Sequence, residues 1–170
     1  MKRTSFADTN CPIARSLDVM GEWWTLLILR DVFCGIRRFD QLLTNLSISR
    51  NVLTDRLRTL VESGILERKM YQEKPERFEY YLTERGSELI PVLSILMNWG
   101  NRWLMTEPGE TVQMIHETCG QSVTPQLVCN HCEEEITLQN VRPDNLGDKL
   151  KIHPKSSKKT KSPSPKLTSR

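Results

Sequence analysis

The apolar period of this chain changes at Gly64 from helical spacing to two, and the change limits what can be built around it. Upstream, Leu53, Leu57 and Leu60 recur at helical spacing and give one inner face. Ser49 can cap that helix, because its hydroxyl can accept an orphan N–H of the first turn, and Gly64 stops it. Downstream the period is two. Ile65 to Tyr71 reads as a strand, Gln72 to Glu76 as a turn, and Arg77 to Leu82 as the returning strand with Phe78, Tyr80 and Leu82 on one face.

The flanks extend this unit. Cys11-Pro12 starts a short helix, where proline's missing N–H costs nothing, with Ile13, Leu17 and Met20 as its stripe and Gly21 as its end. Trp23 to Phe33 is apolar on almost every side and is expected to be a central, buried helix. Cys34, at its end, reads as a small core residue. Arg38 to Asn45 reads as a further helix with Phe39, Leu42 and Leu43 inward, followed by the short turn Leu46-Ser47-Ile48. Thr83 caps a last long helix through about Leu104, and Pro91 inside it predicts a kink or a restart near residue 90. The expected fold is mainly α with a small β-hairpin wing, a winged helix-turn-helix.

Charge divides the rest. Residues 1–106 hold 15 Lys/Arg against 13 Asp/Glu, residues 107–148 hold 1 against 8, and residues 149–170 hold 8 against none. The expected organisation is an N-terminal arm over 1–10, a winged helix-turn-helix and dimerisation domain over 11–106, an irregular acidic Cys-containing extension over 107–142, and a basic disordered tail over 143–170. The tail has too few apolar residues to offset chain entropy, and its charge could tether it to DNA. No run of about 18 apolar residues and no secretory signal is present, and five cysteines form no regular framework, so a cytoplasmic protein without a membrane span is expected.

In a helix-turn-helix the second helix can enter the major groove with its N-terminal residues at base edges. Here Ser49, Arg50, Asn51, Thr54 and Arg58 lie at that start or on the outer face. Arg can pair bidentately with guanine and Asn with adenine, while hydroxyls suit phosphates or bases. The hairpin adds Arg68, Lys69, Lys74 and Arg77, suited to a phosphate backbone or the minor groove. Double-stranded DNA is therefore the expected partner. The alternative is a winged-helix protein-interaction module without DNA binding, since fold alone does not give function. An enzyme finds little support: no Ser-His-Asp arrangement or phosphate-cradling Gly loop is evident, and all three His follow residue 115.

The chain resembles the HxlR-type regulators, relatives of the MarR winged helices, from about Cys11 to Leu104. The resemblance rests on Cys11-Pro12 and on Gly21-Glu22-Trp23-Trp24-Thr25-Leu26-Leu27-Ile28-Leu29-Arg30, similar to the family's G-[KE]-x-W-T-L-L-I-L-R signature. Arg38-Phe39-Asp40, Ile48-Ser49-Arg50-Asn51-Val52-Leu53-Thr54-Asp55-Arg56-Leu57, Arg77-x-Glu79-Tyr80 and Leu82-Thr83-x-x-Gly86 continue it in order. It implies homodimers that bind palindromic operators and repress or activate nearby genes. Some relatives sense oxidants or electrophiles through a cysteine near the N-terminus, and Cys11 occupies a similar place.

Three further expectations follow. Leu89, Leu93, Leu96, Trp99 and Trp103 make a stripe along the last helix, too wide for a small winged core to cover, and read as a dimer interface that Ile13 and Leu17 can join. Cys11 at a helix start has its thiolate favoured by the helix dipole, which makes it the redox-sensing candidate; an unreactive thiol is the other reading. His116, Cys119, Cys129 and Cys132 have spacings that admit a tetrahedral zinc site, with His131 as an alternative ligand and free thiols or a redox pair as the alternative state. No cofactor is required; zinc is the one this pattern admits.

Overall fold

The computed structural model describes residues 5–105, 107 and 111–144. The chain divides into two units, Val19–Asp144 and a smaller one of residues 1–18 with 145–170. In the smaller unit the N-terminal arm folds back. Ser5 Oγ and the Phe6 N–H both donate to the Asp18 carboxylate, at 3.0 and 2.7 Å. Asp18 belongs to the first helix, α1 (Pro12–Met20), which Pro12 opens as the sequence anticipates. Beyond Asp144 the expected basic tail lies outside the described residues.

The larger unit is organised on α2 (Trp23–Phe33), which packs on α3 (Phe39–Leu46), α4 (Arg50–Glu62), β2 (Arg77–Leu82) and α6 (Ile90–Trp103). Ile28, Leu29 and Val32 of α2 meet Leu42 and Leu46 of α3, and Leu53, Leu57 and Leu60 of α4; Ile65 and Leu66 close the same core. The expectation of a central, buried helix holds for its core-facing residues and is corrected at its ends. Trp23 is 90% exposed, Phe33 and Cys34 are also exposed, and all three stand at the ends of α2. The neighbours cover one side of the helix, so apolar character there does not mean burial.

A buried carboxylate ties α2 to α3. Asp31, 2% exposed, accepts from Arg30 Nε and Nη2 on one oxygen (2.9 and 2.7 Å) and from Asn45 Nδ2 on the other (2.7 Å). Both oxygens are thus satisfied by donors, which makes burial of the charge tolerable. Asn45 lies in the last turn of α3. The chain then leaves through Ser47 in the left-handed conformation (φ 52°) and enters α4 at its cap, Ser49, whose hydroxyl accepts from Val52 N–H at 3.3 Å.

The wing is an antiparallel pair, β1 (Leu66–Gln72) and β2, with Leu66 opposite Leu82, Arg68 opposite Tyr80 and Met70 opposite Phe78. Its base is stapled to the end of α4. Thr83 Oγ1 donates to Gly64 O, Thr83 N–H donates to Ile65 O, and Arg85 Nη1 donates to Ser63 O. The expected long last helix is interrupted. α5 (Glu84–Ser87) is a single turn, and α6 restarts at Ile90 with Pro91 in its first turn, where no N–H is needed. Residues 107–142 contain one regular element that the sequence reading missed, a hairpin of β3 (Met114–His116) and β4 (Gln121–Val123). The extension is held to α6 by Asn101, whose side chain exchanges two hydrogen bonds with the Val112 backbone.

Gly86 makes the closest backbone approach at the wing base: a Cβ there would overlap the carbonyl oxygen of Ile65. Gly100 in α6 faces open space. Gly86→Ala should therefore cost roughly 1–3 kcal/mol or more, the usual range for overpacking. Gly100→Ala should stabilise by about 0.5–1 kcal/mol through lower helix entropy cost. Urea denaturation midpoints moving in opposite directions for the two variants are the expected result.

Candidate nucleic-acid interface

The leucine face of α4 points into the core, and helical geometry sends the other face out. Asn51, Thr54 and Arg58 are exposed on it, and Ser49 and Arg50 are exposed at its start. The Ser49 hydroxyl is occupied in capping, and Thr54 Oγ1 donates to Arg50 O at 2.8 Å. Each can still receive or share a bond with a ligand, while Asn51 has both its amide groups to offer. The arginines are held in place by local partners. Arg50 lies over the Phe39 ring (5.1 Å to the centroid) and 3.8 Å from Asp40. Arg58 donates to Asp55 at 2.9 Å. Arg56 points the other way, toward Glu22 at 3.6 Å.

The structure brings α4 and the wing together. Thr54 and Arg58 share with Arg68 of β1 a concave space of about 390 Å3 that Phe39 and Tyr80 floor. A second concavity of about 500 Å3 lies between the start of α3 and the wing, where Arg38 and Arg77 meet Asp40 and Glu76. Arg77 and Lys74, both expected to touch DNA, are exposed at or beside the hairpin tip. Residues 73–77 are charge-balanced, Glu73 and Glu76 against Lys74 and Arg77.

Arg37 and Arg38 are absent from the site expected from sequence. Pairing with β2 explains their placement: Tyr80 N–H donates to Arg37 O at 2.9 Å, and Arg38 forms an isolated antiparallel bridge with Glu79, so the segment before α3 lies beside β2. Arg37 lies over Tyr81 and Arg38 over Tyr71, at 4.6 and 4.4 Å. Arg38 Nε donates to Glu79 Oε1 at 2.8 Å, and Tyr81 Oη donates to Glu79 Oε2 at 2.7 Å. Two adjacent arginines before the first motif helix were the available signal.

The remaining expected sites divide. Cys11 is half-buried at the first turn of α1, its carbonyl accepting from Arg15 N–H. His116 Nδ1 and Cys119 Sγ are 3.3 Å apart in the turn of the β3–β4 hairpin. Cys129 and Cys132 share a second turn, closed by the Val128–Glu135 bridge. The N–H groups of His131 and Cys132, with the Cys132 thiol, hold Cys129 below the ordinary thiol range. Among the described residues no group of three or more His, Cys, Asp or Glu is placed to hold a metal ion. His116 and Cys119 belong to one turn, and Cys129 and Cys132 to another. Of the expected interface stripe, Leu89 and Leu93 pack on the chain's own core, whereas Leu96, Trp99 and Trp103 are exposed, as are Ile13 and Leu17 on α1.

A capped helix exposing Arg and Asn, a preceding helix across a tight turn and a flanking hairpin define a winged helix-turn-helix. The chain belongs to the HxlR-like helix-turn-helix family, which matches residues 19–108; these are DNA-binding transcriptional regulators. It is 48% identical over 141 residues to a protein of Mycobacterium tuberculosis described as an uncharacterized HTH-type transcriptional regulator, covering 82% of this chain and 89% of that one. The crystal structure of PA1607, described as a candidate transcription factor, is similar at 32% identity and a TM-score of 0.74, covering 84% of this chain and 99% of that one. The redox regulator HypR in its reduced form is similar at 34% identity and a TM-score of 0.51, covering 55% and 95%. No helix among the described residues is long and apolar enough to cross a membrane.

The Glu79 cluster carries a pH signature. Tyr81 first, then Arg38, hold the Glu79 carboxyl below the ordinary carboxylate range. A group depressed on folding adds stability above its unfolded value and loses it as the pH falls through its folded value. The stability difference between the native chain and Glu79→Gln should be constant near neutrality and shrink below about pH 4.3, the ordinary glutamate value. Urea titrations at a series of pH values check this; a difference independent of pH contradicts it.

Proposed function

We propose that two copies of the chain associate through α6 and together read a palindromic operator, each α4 entering one major groove. The observation that carries the reading is the exposed N-terminal end of α4, where Arg50 and Asn51 stand beside the capping Ser49, open to solvent. One such end reads only one half-site, so a two-fold pair supplies the second, about 34–36 Å away along one DNA turn. Trp99 and Trp103, 52% and 63% exposed on one helix with Leu96, give an apolar surface of the kind that marks protein association. Ile13 and Leu17 of α1 extend the choice of contacts for a second copy. Arg68, Arg77 and Lys74 then serve the phosphates, and Arg37 and Arg38 join them where the wing meets α3.

The test begins with DNA selected by the protein from a random pool. Arg50→Ala combined with Asn51→Ala should lower affinity for the selected sequence by tenfold or more, as expected for base contacts worth about 1–3 kcal/mol each, and leave non-specific binding and the oligomeric state intact. Trp99→Ser with Trp103→Ser should give monomers that bind the selected site weakly. Selected-site affinity unchanged in the first variant contradicts groove reading by α4, and an unchanged dimer in the second contradicts the α6 interface.

A further inference from the structure

α2 and α6 do not close fully on each other. Between them lies a half-enclosed cavity of about 460 Å3, with residues 112–115 of the extension as its outer wall. The lining is almost wholly apolar, from Leu27 and Phe33 of α2, Leu93 and Met97 of α6, and Met114 and Ile115 of β3. Sites for small molecules run to about 300–1,000 Å3 and combine apolar walls with a few polar groups. The outer wall is fixed at two points: Asn101 holds the Val112 backbone, and Ser94 Oγ lies 3.2 Å from the Met114 sulfur. The two methionines can adapt their shape to a guest.

Free donors name the guest. Among the described residues Arg30 is the only charged residue in the lining, and Asp31, outside the lining, is its ion-pair partner at 2.7 Å. Its Nε and Nη2 donate to Asp31, which leaves Nη1 to meet an anion. Through Asp31 the same guanidinium connects to Asn45, in the turn of α3 that precedes the recognition helix.

We propose that this cavity binds a small amphipathic anion, an apolar body of one or two rings with a single acidic group at Arg30. Occupancy is relayed to the DNA-reading helix through Arg30, Asp31 and Asn45. The relay rests on the regulator reading given above; the binding site does not.

The experiment uses the full chain and two dyes, 8-anilinonaphthalene-1-sulfonate and its uncharged counterpart N-phenyl-1-naphthylamine, followed by fluorescence. The sulfonate should bind saturably, one per chain, and at least fivefold more tightly than the uncharged dye. Met97→Trp, which fills the cavity, should weaken it at least tenfold. Ile115→Trp on the opposite wall should do the same if Met97→Trp fails to fold. Trp23→Ser, which removes the most exposed aromatic of α2, should leave dye binding unchanged. Dye retained by both filled variants, or lost with Trp23→Ser, overturns the site. Selected DNA, its binding followed separately by anisotropy, should shift dye affinity at least fivefold, because coupling is reciprocal. Asn45→Ala should abolish that shift while keeping the dye. Dye affinity indifferent to bound DNA overturns the relay. A chain that binds DNA but no dye overturns the cavity proposal alone, and one that binds dye but no DNA overturns the relay together with the regulator reading.

Discussion

Burial of Leu53, Leu57 and Leu60 against Ile28, Leu29 and Val32 is the contact on which the rest depends. It fixes the rotation of α4 about its axis. Once that stripe is inside, the 3.6-residue repeat turns Asn51, Thr54 and Arg58 outward, while Arg50, on the stripe's own side, is exposed because it is the first residue of the helix. Removing one such leucine side chain typically costs about 2–5 kcal/mol, a large part of what keeps a domain folded. The outward face is therefore set by the most strongly determined part of the molecule. Asp31 adds the second constraint, because its two satisfied oxygens fix where α3 ends and so where α4 can begin.

The cations on that face are held but not committed. Arg50 near Asp40 and Arg58 on Asp55 are exposed pairs. Exposed pairs of this kind are worth about 0–1 kcal/mol and are screened by salt. They cost little to exchange for phosphates or base edges. The wing behaves differently. Arg37, Arg38 and Arg68 lie over aromatic rings, and Glu79 anchors Arg38, so this part is organised before any partner arrives. A mildly basic head with pre-placed cations suits sequence reading more than indiscriminate attachment to nucleic acid.

What the sequence disclosed follows the range of the forces involved. The α4 boundaries were readable because a capping Ser49 and a terminating Gly64 act within a few residues. The hairpin was readable because Phe78, Tyr80 and Leu82 alternate on one face of the returning strand after a polar turn at Gln72 to Glu76. Pro91 announced an interruption, which proves to be a restart. The role of Arg37 and Arg38 was hidden, since it depends on pairing with β2 some forty residues away. Trp23 and Phe33 misled, because an apolar run does not reveal which side its neighbours will cover. The β3–β4 hairpin left no trace, as strands of three residues carry no usable periodicity. For the same reason spacing alone could not show that His116 with Cys119, and Cys129 with Cys132, occupy separate turns.

The central claim is that the start of α4 meets base edges in the major groove. Methylation interference on selected DNA addresses it directly, because dimethyl sulfate marks guanine N7 in the major groove and adenine N3 in the minor groove. The account predicts that N7 methylation blocks binding in two patches about one helical turn apart, and that Arg50→Ala erases the effect at one guanine of each patch. Interference confined to adenine N3, or N7 interference that Arg50→Ala leaves untouched, would contradict it.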